Sequence, residues 1–347
     1  MRHTSTRSRR SPRHAWAWLG SALAVMSIGT LAGGISEASA KPPAATPSTT
    51  VIASGVIEGA NGTTIGPDGA LYATMSDTGE ILRIDRDDGE TSVYATGLPP
   101  RVADIGGPMD IVFHGGTAYV LVSLVGEFFG TDDPTGIYRM DGPGDWTVIA
   151  DLGAWAEANP PAPEIDIFIP TGVHYSLENY RGDLVVTDAH HNKVLRVGLD
   201  GTIEELVALG NVVPTGLETW GNQLLFTLAG PVPHLPENGR IMSLTRGRLD
   251  QIASGGPLLI DVERGRGATL FGLAQGIFTE GNPEGSPADP NTGLLLRADG
   301  DGGFVTVAEE LDRPTSMEIV GNDAYVVGVS GDVLRVDDIA GPPFGSR

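Results

Sequence analysis

Three features of the sequence predict an all-β fold, a six-bladed β-propeller built from four-stranded blades. A β-branched run ending in a small residue returns six times. A second apolar run precedes it across a turn, and the copies repeat about every 48 residues. The first run begins at Thr50, Ser92, Thr147, Glu205, Asp250 and Thr306, as in Thr50-Val51-Ile52-Ala53 and Ser92-Val93-Tyr94-Ala95.

The second run occupies 81–84, 137–140, 194–197, 241–244 and 295–298, with a sixth copy at 333–336. Asp/Gly turns such as Asp87-Asp88-Gly89 and Asp200-Gly201 separate the two runs, as hairpins require. An inner partner precedes them: Leu71-Tyr72-Ala73-Thr74, Leu184-Val185-Val186-Thr187 and Leu224-Leu225-Phe226-Thr227. Before that lies an entry segment, read from Pro170-Thr171-Gly172, Pro214-Thr215-Gly216 and Pro314-Thr315-Ser316. The fifth unit, 258–311, is the weakest copy, with inner strands expected at 269–273 and 277–279. The sixth unit has no fourth strand of its own. Residues 50–54 are left to complete it, joining the ends of the ring and removing two open sheet edges.

The propeller therefore spans 50–340, preceded by a Pro/Thr-rich linker at 41–49 and followed by a tail at 341–347. Residues 1–40 read as a secretory signal. Arg2, Arg7, Arg9, Arg10 and Arg13 precede an apolar stretch that ends in Ala38-Ser39-Ala40. Ser11-Pro12-Arg13 follows Arg9-Arg10 where a hydrophobic pair would be needed, so Sec export is expected over the twin-arginine route. The expected location is extracellular.

The 347 residues carry Lys+Arg 22 against Asp+Glu 44, a net charge of −22, and no Cys. Such a balance argues against nucleic acid and against anionic membrane surfaces. The absence of Cys excludes disulfides and thiol chemistry. A monomer is expected.

Long connections point to a ligand face. They run 123–135, 228–239 and 280–292, and all fall between second and third strands, on one face of the ring. Glu127, Asp132, Asp133, Glu237, Glu280, Glu284 and Asp289 make that face acidic, with Asp188 and His190 at the rim of unit three beside His191. It would suit a small molecule, a polymer or a protein. Aligned entry segments bring Thr64, Asp110, His174, Glu218 and Glu318 to one level near the axis. Carboxylates and a His with no basic neighbour would suit Ca²⁺ or another divalent cation, or else line a hydrated channel. No nucleophile elbow, zinc helix or phosphate loop is present. Beyond residue 40 the only Trp are Trp146, Trp155 and Trp220, so no organic cofactor is expected.

The run Gly66-Pro67-Asp68-Gly69-Ala70-Leu71-Tyr72, the segment Val212-Val213-Pro214-Thr215-Gly216-Leu217, the long loop after Leu228 and Thr292-Gly293-Leu294 resemble the ScyD/ScyE family of secreted bacterial propellers. Asp183-Leu184-Val185-Val186-Thr187-Asp188 followed by Asn192-Lys193-Val194 is similar to the NHL blade motif. The resemblance covers roughly residues 50–338 and implies a secreted binding propeller with no established catalytic role. The alternative is a metal-dependent hydrolase or lactonase like the senescence-marker and gluconolactonase propellers. In that case Asp110, Glu218 and Glu318 would hold the metal and His174 would serve as base.

Overall fold

The computed structural model describes residues 47–55, 59–162, 165, 168–283 and 285–340. The expected signal segment and C-terminal tail, residues 41–46 of the linker, and Glu284 lie outside them.

Six antiparallel four-stranded sheets form the blades, and each entry strand packs against the entry strands on either side. Blade one contains Ala60–Ile65, Leu71–Met75, Glu80–Ile84 and Thr91–Ala95. Blade two contains Gly107–His114, Thr117–Ser123, Gly136–Gly142 and Asp145–Asp151. Blade three contains His174–Tyr180, Asp183–Asp188, Lys193–Val197 and Ile203–Ala208. Blade four contains Pro214–Trp220, Gln223–Leu228, Arg240–Thr245 and Arg248–Ser254. Blade five contains Leu259–Arg264, Leu270–Ala274, Gly293–Ala298 and Phe304–Leu311. Blade six contains Pro314–Val320, Asp323–Gly328 and Val333–Asp337, and it is completed by Ser48–Ala53.

The patterning explains the order within a blade. The second strand is sandwiched between neighbouring sheets, so Leu71–Met75 is buried throughout and reads as a continuous apolar run. The fourth strand faces solvent, and Ser48–Ala53 is exposed over most of its length. Side chains between adjacent blades form six wedge-shaped cores. One joins Ile81 and Tyr72 to Val120 and Tyr138, and another joins Leu121 and Ile137 to Leu184 and Val186.

Closure follows the expected pairing. Ser48 opposes Asp337 and Val51 opposes Leu334, in a strand that begins two residues earlier than the sequence pattern indicates. Blade five departs from expectation. Its entry strand is Leu259–Arg264 and its second is Leu270–Ala274, while residues 277–279 belong to the long loop. There Ile277 meets solvent and Phe278 packs edge-on against His234, so neither continues the sheet. A short helix, Leu152–Ala158, begins the connection from blade two to blade three, its N-terminus capped by the Asp151 carboxylate accepting from the Ala154 N–H.

Candidate axial site

The six entry strands place their side chains around a narrow channel with a cavity volume of about 30 Å³. Strand pairing fixes which residues share a level. Thr64 opposes Tyr72, Glu178 opposes Val185, Glu218 opposes Leu225, Glu263 opposes Phe271 and Glu318 opposes Tyr325. In blade two the corresponding place is taken by Val112, opposite Tyr119. Four glutamates therefore share one level.

Two aspartates sit two residues earlier and do different work. Asp110 Oδ1 accepts from the Ile111 N–H at 2.8 Å, and its Oδ2 accepts from Ser176 Oγ at 3.0 Å and the Leu177 N–H at 2.7 Å. Asp261 repeats the pattern three blades away. Its Oδ1 accepts from the Val262 N–H at 2.9 Å, and its Oδ2 accepts from Ser316 Oγ at 3.3 Å and the Met317 N–H at 2.8 Å. Each aspartate bolts one blade to the next. Glycine is required beside both. A Cβ on Gly62 would overlap Asp110, and one on Gly216 would stand 2.5 Å from the Asp261 Cα.

Burial raises these carboxyl groups. Desolvation pushes Asp110 up to about 7 against its hydrogen bonds. Desolvation and the Asp110 charge push Asp261 up to about 8. Desolvation also pushes Glu178 to about 8, with Glu218 and Asp110 adding repulsion. Glu263 and Glu318 are likewise raised well above the ordinary carboxylate range by burial and by their acidic neighbours. Among the described residues no three His, Asp or Glu side chains converge in a geometry that could hold a metal ion. Asp110 and Asp261 commit both oxygens to protein donors. Among the described residues, Asp110, His174, Glu218 and Glu318 are not gathered into one divalent-cation site.

Above the channel the same axis opens into a cup of about 230 Å³. Asn61, Tyr175, Ile260 and Thr315 line both spaces and form the floor between them. The walls come from the blade connections. His234, on the long loop of blade four, donates from Nδ1 to the Gly230 carbonyl at 2.7 Å, which leaves Nε2 as the unprotonated nitrogen. Burial lowers its pKa, so the ring is neutral at pH 7. Tyr175 is pushed upward by burial and by the Asp261 and Asp110 charges, so its phenol stays protonated. His190 also lines the cup, but its Nε2 accepts from the Phe168 and Ile169 N–H groups at 3.1 and 3.3 Å and so ties down the loop before blade three.

The residues singled out from sequence are distributed as follows. Thr64, Glu218 and Glu318 share the channel level, and Asp110 lies two residues before it. His174 opposes Asp188 at the start of its strand, four residues before Glu178, which takes the ring position instead. Fully buried, it stands 3.7 Å from Asp188 Oδ2, while His191 Nδ1 is 3.5 Å from the same oxygen. Asp188 Oδ1 accepts from the N–H groups of Val173, His190 and His191 and so sets the turn that carries His190. None of the loop acids Glu127, Asp132, Asp133, Glu237, Glu280 and Asp289 lines the cup. Asp289 instead accepts from the Thr279 hydroxyl at 2.7 Å within the blade-five loop.

Glu178, Glu263, Asp261, Tyr175 and His234 were not among the sequence candidates. For the first three the signal was present. Ser176-Leu177-Glu178 matches Ser316-Met317-Glu318, and Met109-Asp110-Ile111 matches Ile260-Asp261-Val262. Aligning on these triplets rather than on Pro and Gly would have found them. Nothing in the local sequence marks His234.

No protein-family model matches the chain, and no curated protein matches it. Solved structures do. A gluconolactonase from Xanthomonas campestris superposes with a TM-score of 0.56 at 13% identity, over 85% of this chain and 89% of that one. The luciferin-regenerating enzyme gives 0.56 at 11% identity, over 86% and 98%. Virginiamycin B lyase from Staphylococcus aureus gives 0.51 at 14% identity, over 84% and 99%. At these identities the likeness is one of fold. It does not extend the resemblance to the ScyD/ScyE family beyond the propeller.

Proposed function

We propose that this protein is an enzyme that hydrolyses a small lactone or ester in the axial cup, in preference to a binding propeller without chemistry. The observation that carries the reading is the neutral His234, its tautomer fixed by Gly230, in the wall of a concave pocket on the ring axis. Nε2 is the nitrogen suited to take a proton from water as that water attacks a carbonyl carbon. The protonated Tyr175 phenol at the floor is the group suited to donate to the oxygen on which charge develops. The proton held by His234 then passes to the departing alkoxide, giving one hydroxy acid from a lactone or an acid and an alcohol from an ester. Solved structures of this fold include a gluconolactonase and a lyase, so the fold is compatible with small-molecule chemistry. The signal-like residues 1–40 favour action outside the cell, which fractionation of the native host would test.

The test is pH-stat hydrolysis of a panel of lactones and aryl esters. His234→Gln is expected to retain the wild-type circular dichroism and to lose about 10²–10⁴-fold in kcat. Wild-type kcat/KM should rise with pH through a pKa below the ordinary histidine value and level off by about pH 7, because the active base is the neutral ring. Turnover unaffected by His234→Gln overturns the assignment.

A further inference from the structure

We infer that the cup selects a ligand with a hydrocarbon portion and no negative charge, an alkyl- or aryl-substituted lactone or ester rather than a polyhydroxylated sugar lactone. This deepens the proposed function and rests on the cup being the ligand site.

Four observations point the same way. The walls are predominantly apolar, with Ile105, Leu124, Phe168, Ile169, Leu258 and Ile260 among them. Most polar groups that reach the cup are already engaged by the protein. The Thr215 hydroxyl donates to the Leu259 carbonyl, the Thr315 hydroxyl to the Ala60 carbonyl, and Gln275 Oε1 accepts from the Ala288 N–H. A sugar ring would bury hydroxyls with few partners, at a cost of about 1–3 kcal/mol for each one left unpaired.

Charge excludes anionic ligands. Arg101 is the one Lys or Arg among the cup-lining residues, and it pairs with Asp77 and donates to the Asp104 carbonyl at 3.1 Å. The whole chain carries −22.

Exposed apolar side chains also stand close in sequence to cup-lining residues. Phe168 is 57% exposed, and Ile277, two residues beyond the cup-lining Gln275, is 54% exposed. Val232 and Leu235 flank His234 and are also exposed, and so is Val102 next to Arg101. Surface apolar groups beside a concave pocket mark a binding site. The volume of about 230 Å³ lies below the 300–1,000 Å³ of drug-sized sites, so the hydrocarbon portion of a larger ligand would extend beyond the cup.

The test is calorimetric titration of the purified full-length protein in its His234→Gln form, which removes turnover. The probes are a series of δ-alkyl-δ-lactones of increasing chain length and glucono-δ-lactone. Affinity is expected to rise about fourfold per added methylene until the cup and the apolar side chains beside it are covered. Glucono-δ-lactone should bind at least tenfold more weakly than the longest alkyl lactone. Val102→Ser and Ile277→Ser change exposed side chains outside the cup lining and should fold normally. They should flatten the chain-length dependence for the longer members and leave the shortest lactone unaffected. Affinity independent of chain length, or glucono-δ-lactone binding as tightly as the alkyl series, overturns the inference. A steep chain-length dependence with no lactone or ester turned over by the wild type sustains it and overturns the hydrolytic reading.

Discussion

Blades one to three and blades four to six are related by a pseudo-two-fold axis along the channel. Asp110 and Asp261 occupy matching places, accept from matching donors, and stand beside matching glycines, Gly62 and Gly216. One level away the symmetry fails. The first half presents Thr64, Val112 and Glu178, whereas the second presents Glu218, Glu263 and Glu318. The aspartates are repeated because blade docking needs an acceptor at that place in each half. The glutamates are lopsided, and they crowd carboxyl groups into a channel of about 30 Å³. The difference separates side chains that hold the ring together from side chains that oppose it.

The halves also differ in how their last blades are finished. Blade three closes with its own strand, Ile203–Ala208, whereas blade six borrows Ser48–Ala53 from the other end of the chain. Removing residues 47–55 should have the largest effect, lowering Tm by roughly 10 °C or more through lost pairing and a new open edge. Hydrogen exchange should then quicken in blade six while blade three stays protected. Equal loss in both blades would break the comparison.

Next come the bolts. Asp110→Ala and Asp261→Ala each leave two backbone N–H donors without their acceptor and should cost roughly 2–5 kcal/mol, by denaturant titration. The two costs should agree within about 1 kcal/mol if the pseudo-symmetry is energetic as well as geometric. A neutral outcome at either position would show that only one half is bolted.

The smallest effect concerns the glutamates. Their folded pKa values lie above the unfolded ones, so the native state holds more protons. The stability this gives is present at low pH and is lost as pH climbs from the ordinary carboxylate range, about 4.5, through about 8. Glu263→Gln and Glu318→Gln should raise Tm by about 2–5 °C at pH 8 and leave it unchanged at pH 4.5. A wild-type Tm that is flat across this range would show the cluster to be well hydrated.

The fold was legible in the sequence because hairpin turns and apolar runs are local signals, repeated six times. Blade five was misassigned where those signals thin out. Its entry strand lacks the Pro-Thr start, and the apolar Ile277 and Phe278 imitate a strand, although Ile277 meets solvent and Phe278 packs against His234. The site was legible only in part. Glu218 and Glu318 were found through shared Pro starts, but His174 was matched to their level because its entry segment was aligned on Pro170 and Gly172, four residues out of step with the pairing. His234 was invisible, since its place in the cup depends on a loop of one blade meeting the floor made by others. Side chains that converge across the ring have no common period along the chain.

The strand that closes the ring is the first to be made and the last to find its partner. Ser48 meets Asp337 across 289 residues of sequence. During synthesis Ser-Thr-Thr-Val-Ile-Ala has nothing to pair with until the final blade emerges, so no truncated product can form the closed ring. A chain that stops before Val333 is therefore left with two unpaired sheet edges.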